Sequence, residues 1–180
     1  MRVKQLAMQM DTARLLIRTL QTLDAEPLAR IWSDPEVTRY MGGPRDQDQI
    51  RELLEEDAAD PNPPQLDLWP VIEKASGRVV GHCGLLEKEV NGKAEVEVIY
   101  VLEPLAWGKG YATEAASAVV EHAFEELGMR RVIALIDPQN AASERVALKL
   151  GMQLEGETVR PNGKVMRVYA VGAKDEPFPI

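Results

Sequence analysis

The chain is poor in the residues that most often form crosslinks or bind zinc. Cys83 is its one cysteine, which excludes internal disulfides and thiolate metal clusters and is typical of a reducing compartment. His82 and His122, the two histidines, lie far apart on different predicted elements, so structural roles are favoured over a zinc site. We therefore expect no metal ion.

The sequence also lacks a long apolar run and an excess of basic residues. No apolar stretch approaches the ~18 residues that a membrane span needs, and residues 1–10 do not resemble a secretory signal. The formal net charge of −8 argues against a nucleic-acid partner. We expect a cytoplasmic protein that binds neither membrane nor nucleic acid.

The length and composition indicate one domain. A chain of 180 residues that is 45% hydrophobic fills one core, whereas two halves would each be marginal. Residues 1–10 show no clear period, and we expect them to form a frayed or disordered extension. The domain is predicted to cover residues 11–180.

Hydrophobic periodicity predicts a mixed α+β fold. Four helices are predicted, at residues 22–32, 46–57, 112–127 and 140–150. Seven strand-like runs are predicted, at residues 14–20, 66–74, 78–90, 93–102, 131–136, 152–160 and 165–173.

The connections between these elements predict the order of the sheet. Asn91-Gly92 and Asn162-Gly163 are typical of two-residue hairpin turns. The helix at 112–127 joins two strands and so predicts a parallel, right-handed crossover. The expected architecture is a three-layer α/β arrangement of about seven strands, mostly antiparallel with one parallel pair, flanked by about four helices.

A glycine-containing loop precedes the longest predicted helix. Gly108 and Gly110 let backbone amides approach a ligand, Lys109 adds positive charge, and the helix start supplies free N–H groups. These features predict a pyrophosphate site. A purely structural turn is the alternative, because a short G-x-G motif is weak evidence by itself.

Two carboxylates lie on the strand that leads into this loop. Glu95 and Glu97 are two residues apart, so strand alternation places both on one face. If that face lines a pocket, burial raises a carboxyl pKa toward neutrality and makes the group a proton acceptor for an amine. An exposed sheet face is the alternative. Tyr100 is predicted to point the other way and pack under a helix.

Polar residues begin the helix predicted at 140–150. Asn140 and Ser143 lie in its first turn, where both side chains can reach a ligand, although helix capping alone explains Asn140. Arg145 and Lys149 are spaced to form a basic rim, with plain surface solubility as the alternative. Cys83 is expected to be a small core residue and not a nucleophile.

Together these stretches resemble the GNAT superfamily of acyl-CoA-dependent N-acetyltransferases, and in particular its RimJ/RimL-like branch of ribosomal-protein N-terminal acetyltransferases. The resemblance covers nearly the whole chain after residue 10. It rests on three matches in order: residues 12–18 with 32–37, residues 100–104 with 107–115, and residues 140–143 through 149–152.

The resemblance implies acetyl-CoA as cosubstrate, no metal, and a GNAT-like sheet that binds the pantetheine arm between the last meander strand and the parallel strand. It implies that Glu97 deprotonates the amine and that a backbone N–H of residues 99–102 polarises the thioester carbonyl. Many members use a Tyr on the last helix as general acid, and this chain has none between Asn140 and Gly151. The resemblance to the RimJ/RimL-like branch, in which a Ser at this position has that role, implies Ser143 as the general acid. The implied cofactor-binding residues are Tyr100, Val101, Leu102, Trp107, Gly108, Lys109, Gly110, Tyr111, Ala112, Thr113, Asn140, Ser143 and Lys149.

Trp107 occupies the position at which the family loop often begins with Gln or Arg. Because backbone amides bind the pyrophosphate, this difference is tolerated. The acceptor is expected to be a protein N-terminus or a small amine, and the choice between Glu95 and Glu97 as base is open. A catalytically inactive acyl-CoA sensor and a scaffold are the other functional classes. A homodimer and a monomer are both compatible with the sequence.

Overall fold

The computed structural model describes residues 8–173, which form one eight-stranded sheet in the order β1-β2-β3-β4-β5-β6-β8-β7. All neighbouring strands are antiparallel except β5 and β6, which are parallel. The predicted mixed sheet is confirmed. The strands are β1 (Gln9–Asp11), β2 (Leu15–Arg18), β3 (Leu68–Glu73), β4 (Arg78–Val90), β5 (Lys93–Leu102), β6 (Arg131–Ile136), β7 (Gln153–Val159) and β8 (Val165–Gly172).

Four α-helices cover the two faces of the sheet in this part of the chain. They are α1 (Ala25–Ser33), α2 (Gln47–Ala59), α3 (Tyr111–Glu125) and α4 (Ala141–Lys149). One apolar cluster joins α1 and α2 to one sheet face, and the larger core joins α3 and α4 to the other. This confirms the three-layer arrangement. None of these helices combines the length and the hydropathy that a membrane span requires.

The strand count differs from the prediction at the N-terminus. Met10 pairs with Ile17 in the short strand β1, so the expectation of a frayed segment over residues 1–10 needs correction at its end. Residues 1–7 lie outside the described residues. β1 has three residues, which is too short to show an alternating pattern in the sequence.

The two predicted hairpin turns differ in geometry. Asn91 (φ 51°) and Gly92 (φ 76°) both have positive φ, as a two-residue turn requires, so that prediction is confirmed. The β7–β8 turn is longer, because Arg160 N–H donates to Lys164 O and only Gly163 (φ 81°) has positive φ there. Pro161, with its fixed φ, precedes Asn162 and prevents the two-residue form.

β5 and β6 separate soon after they meet. Their parallel register consists of the pair Glu97–Ile133, whereas β4 and β5 pair over ten positions from Gly81–Leu102 to Val90–Lys93. Beyond Glu97 the facing edges of β5 and β6 are free to bond to something else. The sheet therefore opens like a V toward the carboxyl ends of these two strands.

Gly84, like Gly81 on the same strand, is a position where the sheet has no room for a side chain. A Cβ there would collide with the backbone carbonyl of Asp67 and lie 2.8 Å from Leu68 Cα. We expect Gly84→Ala to lower the free energy of unfolding by about 2–3 kcal/mol, the cost of overpacking a core. Urea unfolding measures this loss. Gly172→Ala is the matched control, because its nearest contact is at 3.5 Å. Equal stability of the two variants would contradict the steric reading.

Candidate active site

The V between β5 and β6 opens into a cleft of about 600 Å³. Residues of both diverging strands line it, together with the first turns of α3 and α4. Both helices begin at the carboxyl ends of the strands that precede them, because each follows its strand after a short loop. A ligand in the cleft therefore meets two helix N-termini and the diverging edges of two strands.

Unpaired backbone N–H groups surround the start of α3. In the described part of the chain, the N–H groups from Gly108 to Thr113 have no hydrogen-bond acceptor, and the first N–H donated into the helix is that of Glu114, to Gly110 O at 3.0 Å. Gly108 (φ 73°) and Gly110 (φ 81°) bend the loop so that successive N–H groups converge. Such a nest at the positive end of a helix binds phosphate oxygens.

Two side chains, Arg14 and Trp107, hold this loop in place. Arg14 forms a salt bridge with Glu114 at 2.7 Å and donates from Nη1 to Lys109 O at 2.8 Å. Trp107 Nε1 donates to Leu102 O at 2.8 Å and ties the other end of the loop to β5. Sequence reasoning missed the role of Arg14, because no local pattern links residues 100 positions apart.

Glu97 lies at the point of the V. Its side chain is 4% exposed, its Oε1 accepts a 3.4 Å hydrogen bond from Leu135 N–H, and its Oε2 has no partner among residues 8–173. Burial raises its pKa above the ordinary value, although Lys88, Arg160 and the Leu135 N–H each act to lower it. The geometry offers a proton-accepting oxygen to a group in the cleft.

Glu95 lies on the same sheet face but is already paired. Its carboxylate accepts from Arg131 Nε at 3.1 Å, and Arg131 also binds Glu155 at 2.6 Å. Glu95 does not line the cleft. The structure therefore separates two carboxylates that the sequence left equivalent, and only Glu97 faces the cleft.

Ser143 is held by a small hydrogen-bond network at the start of α4. Asn140 caps the helix, with Oδ1 accepting from Ser143 N–H at 3.2 Å, and its Nδ2 donates to Ser143 Oγ at 3.0 Å. Tyr100, which packs against α4 as predicted, donates its hydroxyl to Ser143 O at 3.0 Å. Within the described residues the Ser143 hydroxyl donates to nothing, so its proton is available to a ligand.

The cleft brings together all but one of the residues predicted to bind a cofactor. Lys109 is the exception, since its Nζ turns toward Glu73, 3.9 Å away, and over the Tyr111 ring. Tyr111 contributes backbone only, because its ring is buried and its hydroxyl donates to Glu73 at 2.7 Å. The members that do line the cleft are Tyr100, Val101, Leu102, Trp107, Gly108, Gly110, Tyr111, Ala112, Thr113, Asn140, Ser143 and Lys149.

Another wall of the cleft is built from Lys88, Arg160 and residues of the segment 36–45 after α1. Sequence reasoning missed the two cations, Lys88 and Arg160. Lys88 shares the sheet face of Glu97, because Leu86 pairs with Glu97 and Lys88 lies two positions further along β4. Strand alternation was the available signal for Lys88, whereas the position of Arg160 depends on the β7–β8 turn.

The remaining candidates from the sequence have structural surroundings. Cys83 is fully buried, and burial raises its thiol pKa. His82 accepts from Trp32 Nε1 at 3.2 Å, and burial lowers its pKa to about 4, so it is a neutral link between β4 and α1. In residues 8–173, no three His, Cys, Asp or Glu side chains are grouped as metal ligands.

Comparison with known proteins agrees with this geometry. Residues 14–153 match the family described as the acetyltransferase (GNAT) domain. The chain is 33% identical to an uncharacterized N-acetyltransferase, p20, from Bacillus licheniformis, over 88% of this chain and 91% of that protein. It is also 33% identical to the uncharacterized protein YkkB from Bacillus subtilis, over 88% and 92% of the two chains.

A solved structure shows the same fold. The crystal structure of an acetyltransferase of the GNAT family from Bacillus anthracis superposes with a TM-score of 0.79 and 30% sequence identity. The match covers 92% of this chain and 98% of that one. The two chains therefore share one fold over nearly their whole lengths.

The burial of Glu97 predicts a stability difference that depends on pH. Because the folded-state pKa of Glu97 lies above its ordinary value of about 4.5, the stability it contributes is fully present below pH 4.5 and is lost as the pH rises through the folded pKa. Gln has the same shape and does not titrate. We expect Glu97→Gln to melt higher than the wild type at pH 8, and the difference to shrink toward pH 4.

Thermal unfolding followed by circular dichroism between pH 4 and pH 8 measures this difference. Glu95→Gln is the control and shows no such gain, because it removes a partner of Arg131. A Glu97→Gln offset that stays constant across the pH range would refute the burial argument.

Proposed function

Because the chain belongs to the GNAT acetyltransferase family, we propose that it transfers the acetyl group of acetyl-CoA to a primary amine by direct attack in a ternary complex. The single observation that carries this proposal is the free N–H nest of residues 108–113 beside the buried Glu97 at the V of the sheet. The N–H nest suits the phosphates of the donor, and Glu97 suits deprotonation of an acceptor.

The residues of the cleft suit acetyl-CoA. The nest would bind the pyrophosphate through backbone N–H groups, and Arg145 and Lys149 on α4 are placed to bind a more distant phosphate. The pantetheine arm has amide groups that match a free strand edge, so it would lie along β5 in the place that β6 leaves. When bound there, acetyl-CoA supplies the activated acyl group.

Glu97 is the proposed general base. An ammonium group entering the cleft would lose its proton to Glu97, directly or through a water molecule, and the neutral amine would then attack the thioester carbonyl. A backbone N–H of the stretch 99–102 is proposed to stabilise the negative charge that develops on the carbonyl oxygen. The fully paired Glu95 offers no comparable acceptor.

Ser143 is the proposed general acid. Asn140 and Tyr100 hold it through the bonds described above, and these bonds leave the hydroxyl proton free to reach the sulfur of the departing thiolate. Acetyl transfer of this kind needs no covalent enzyme intermediate. An inactive acyl-CoA sensor has no supporting observation, because the cleft holds both a candidate base and a candidate acid.

The finer assignments are also proposals. Membership of the RimJ/RimL-like branch is supported by the opening at residues 12–18, by Trp107 and by Ser143, and it would suit a protein N-terminus or a small amine as acceptor. A cytoplasmic location is supported by the single, buried Cys83. A homodimer is compatible with this proposal and is not required by it.

Removal of the base should slow turnover without weakening donor binding. We expect Glu97→Gln to lower kcat by ~10²-fold or more at neutral pH and to leave the Kd for acetyl-CoA nearly unchanged. Thiol release with an accepted amine measures kcat, and calorimetry measures the Kd. Glu95→Gln, the matched control, should keep kcat within a few-fold. Unchanged turnover in Glu97→Gln would remove this residue from the mechanism.

Removal of the acid should also act on kcat. We expect Ser143→Ala to lower kcat by about 10²-fold, at the low end for acid catalysis, while the KM for acetyl-CoA stays the same. Tyr100→Phe, which loses only the hydrogen bond to Ser143 O, should show a smaller loss. Full activity of Ser143→Ala would mean that the thiolate leaves without a proton from this residue.

A further inference from the structure

The Glu97 side of the cleft carries two cations without ion-pair partners. Lys88 and Arg160 are half-buried and line the cleft, yet neither forms a salt bridge within residues 8–173. The most buried arginine pairs behave differently: Arg18 binds the buried Asp24 at 2.7 Å, for example. Half-buried cations without an anion are costly unless a ligand supplies one.

The carboxylate that lies opposite Lys88 on the neighbouring strand is already engaged. Glu95 faces Lys88 in the β4–β5 register, but Arg131 occupies its two oxygens. Glu95 is therefore not an ion-pair partner of Lys88, and the carboxylate on which Lys88 acts is Glu97, whose pKa burial raises and Lys88 lowers. The position of Lys88 on β4, a long strand paired on both sides near Gly84, makes its charge a fixed feature of the wall.

Arg160 is held over the cleft by the β7–β8 turn. Its N–H bonds to Lys164 O at 2.9 Å, and Lys164 Nζ binds Asp137 at 2.7 Å and lies 3.5 Å from Tyr40 O. Lys164 thus fastens the turn and neutralises Asp137. The Arg160 Nε is buried without a partner among residues 8–173, and the side chain lines the cleft.

The other charges on this side do not cancel the two cations. Arg45 adds a third cation, which is exposed and bonds to backbone carbonyls of its own loop. Glu36 is exposed near the mouth, and Glu97 itself is the group that must meet the amine. The wall is therefore locally positive in a chain whose net charge is −8.

We propose that the acceptor is a small amine that also carries an oxyanion, a carboxylate or a phosphate, which Lys88 and Arg160 bind while Glu97 receives the amine. This inference rests on the proposed function, in which the Glu97 side is the acceptor side. A guanidinium binds either oxyanion through paired N–H groups. Free amino acids have the required combination of groups, whereas polyamines would be repelled by the same two cations.

The test compares acceptors that differ only in the oxyanion. Thiol release from acetyl-CoA is measured for amino acids against their amides, for phosphoethanolamine against ethanolamine, and for spermidine. We expect kcat/KM to be at least ~10-fold higher for the anionic member of one pair, the size typical of a charged hydrogen-bonded contact. The pair that responds distinguishes carboxylate from phosphate. Preference for spermidine or for neutral members would overturn the proposal.

Variants of Arg160 and Lys88 test whether these two residues cause the preference for an anionic acceptor. Arg160→Gln and Lys88→Gln should raise KM for the anionic acceptor about 10-fold and leave KM for its neutral partner unchanged, and Arg160→Lys should recover part of the loss. Arg30→Gln on the exposed face of α1 is the matched control. Equal losses with anionic and neutral acceptors would assign Arg160 and Lys88 a merely structural role and overturn the proposal.

A binding experiment distinguishes failure of this inference from failure of the proposed function. Calorimetry on the CoA-loaded protein compares N-acetyl amino acids with their amides and N-acetylphosphoethanolamine with N-acetylethanolamine. Selective binding of the anionic forms, lost in Arg160→Gln, would support the inference even if no amine were turned over, and that outcome would count against the transferase proposal alone. Turnover of amines with no preference for an oxyanion, in activity or in binding, would support the transferase proposal and overturn this inference.

Discussion

The separation of β6 from β5 after Glu97 is the constraint on which the candidate site depends. Two parallel strands that stayed paired would satisfy each other's N–H and C=O groups and leave no room between them. Their divergence leaves strand edges that a ligand can pair with, and it turns Glu97 from a buried strand residue into the floor of a cleft. Both helix N-termini reach this opening because each helix follows one of the two strands.

The polar contacts around the cleft fix the loops and leave the reactive groups free. Arg14 and Glu114 hold the glycine loop, and the N–H nest stays open. Asn140 positions Ser143 without using its proton. Lys164 binds Asp137, and Arg160 Nε has no partner within residues 8–173. In each part of the site, hydrogen bonds and salt bridges thus hold the backbone next to a polar group that remains available to a ligand. A preorganised site needs this arrangement.

Charge is distributed unevenly over a protein that is acidic as a whole. The cations of α4 lie on the side proposed for the donor phosphates, and Lys88 and Arg160 lie on the side proposed for the acceptor. The net charge of −8 therefore says little about what enters the cleft, since a ligand in a narrow opening responds to the nearest charges before the distant ones.

The sequence by itself determined the elements and much of the fold. Period-2 and period-3.6 patterns, the Asn91-Gly92 turn and the crossover helix α3 were sufficient for the mixed three-layer sheet, because these signals are local or act between neighbouring elements. The glycine loop and the capping Asn140 were also readable. The three-residue strand β1 and the Pro161 turn were not, since each is a small local event without a period.

Tertiary structure decided which of the candidate groups can act. Glu95 and Glu97 are equivalent in the sequence, and the difference between them comes from Arg131 on β6 and Glu155 on β7. The sequence predicted Lys109 as a phosphate ligand, but in the structure its side chain lies toward Glu73 on β3. Availability depends on partners that are distant in the chain, and contacts between residues far apart leave no periodic trace in one sequence.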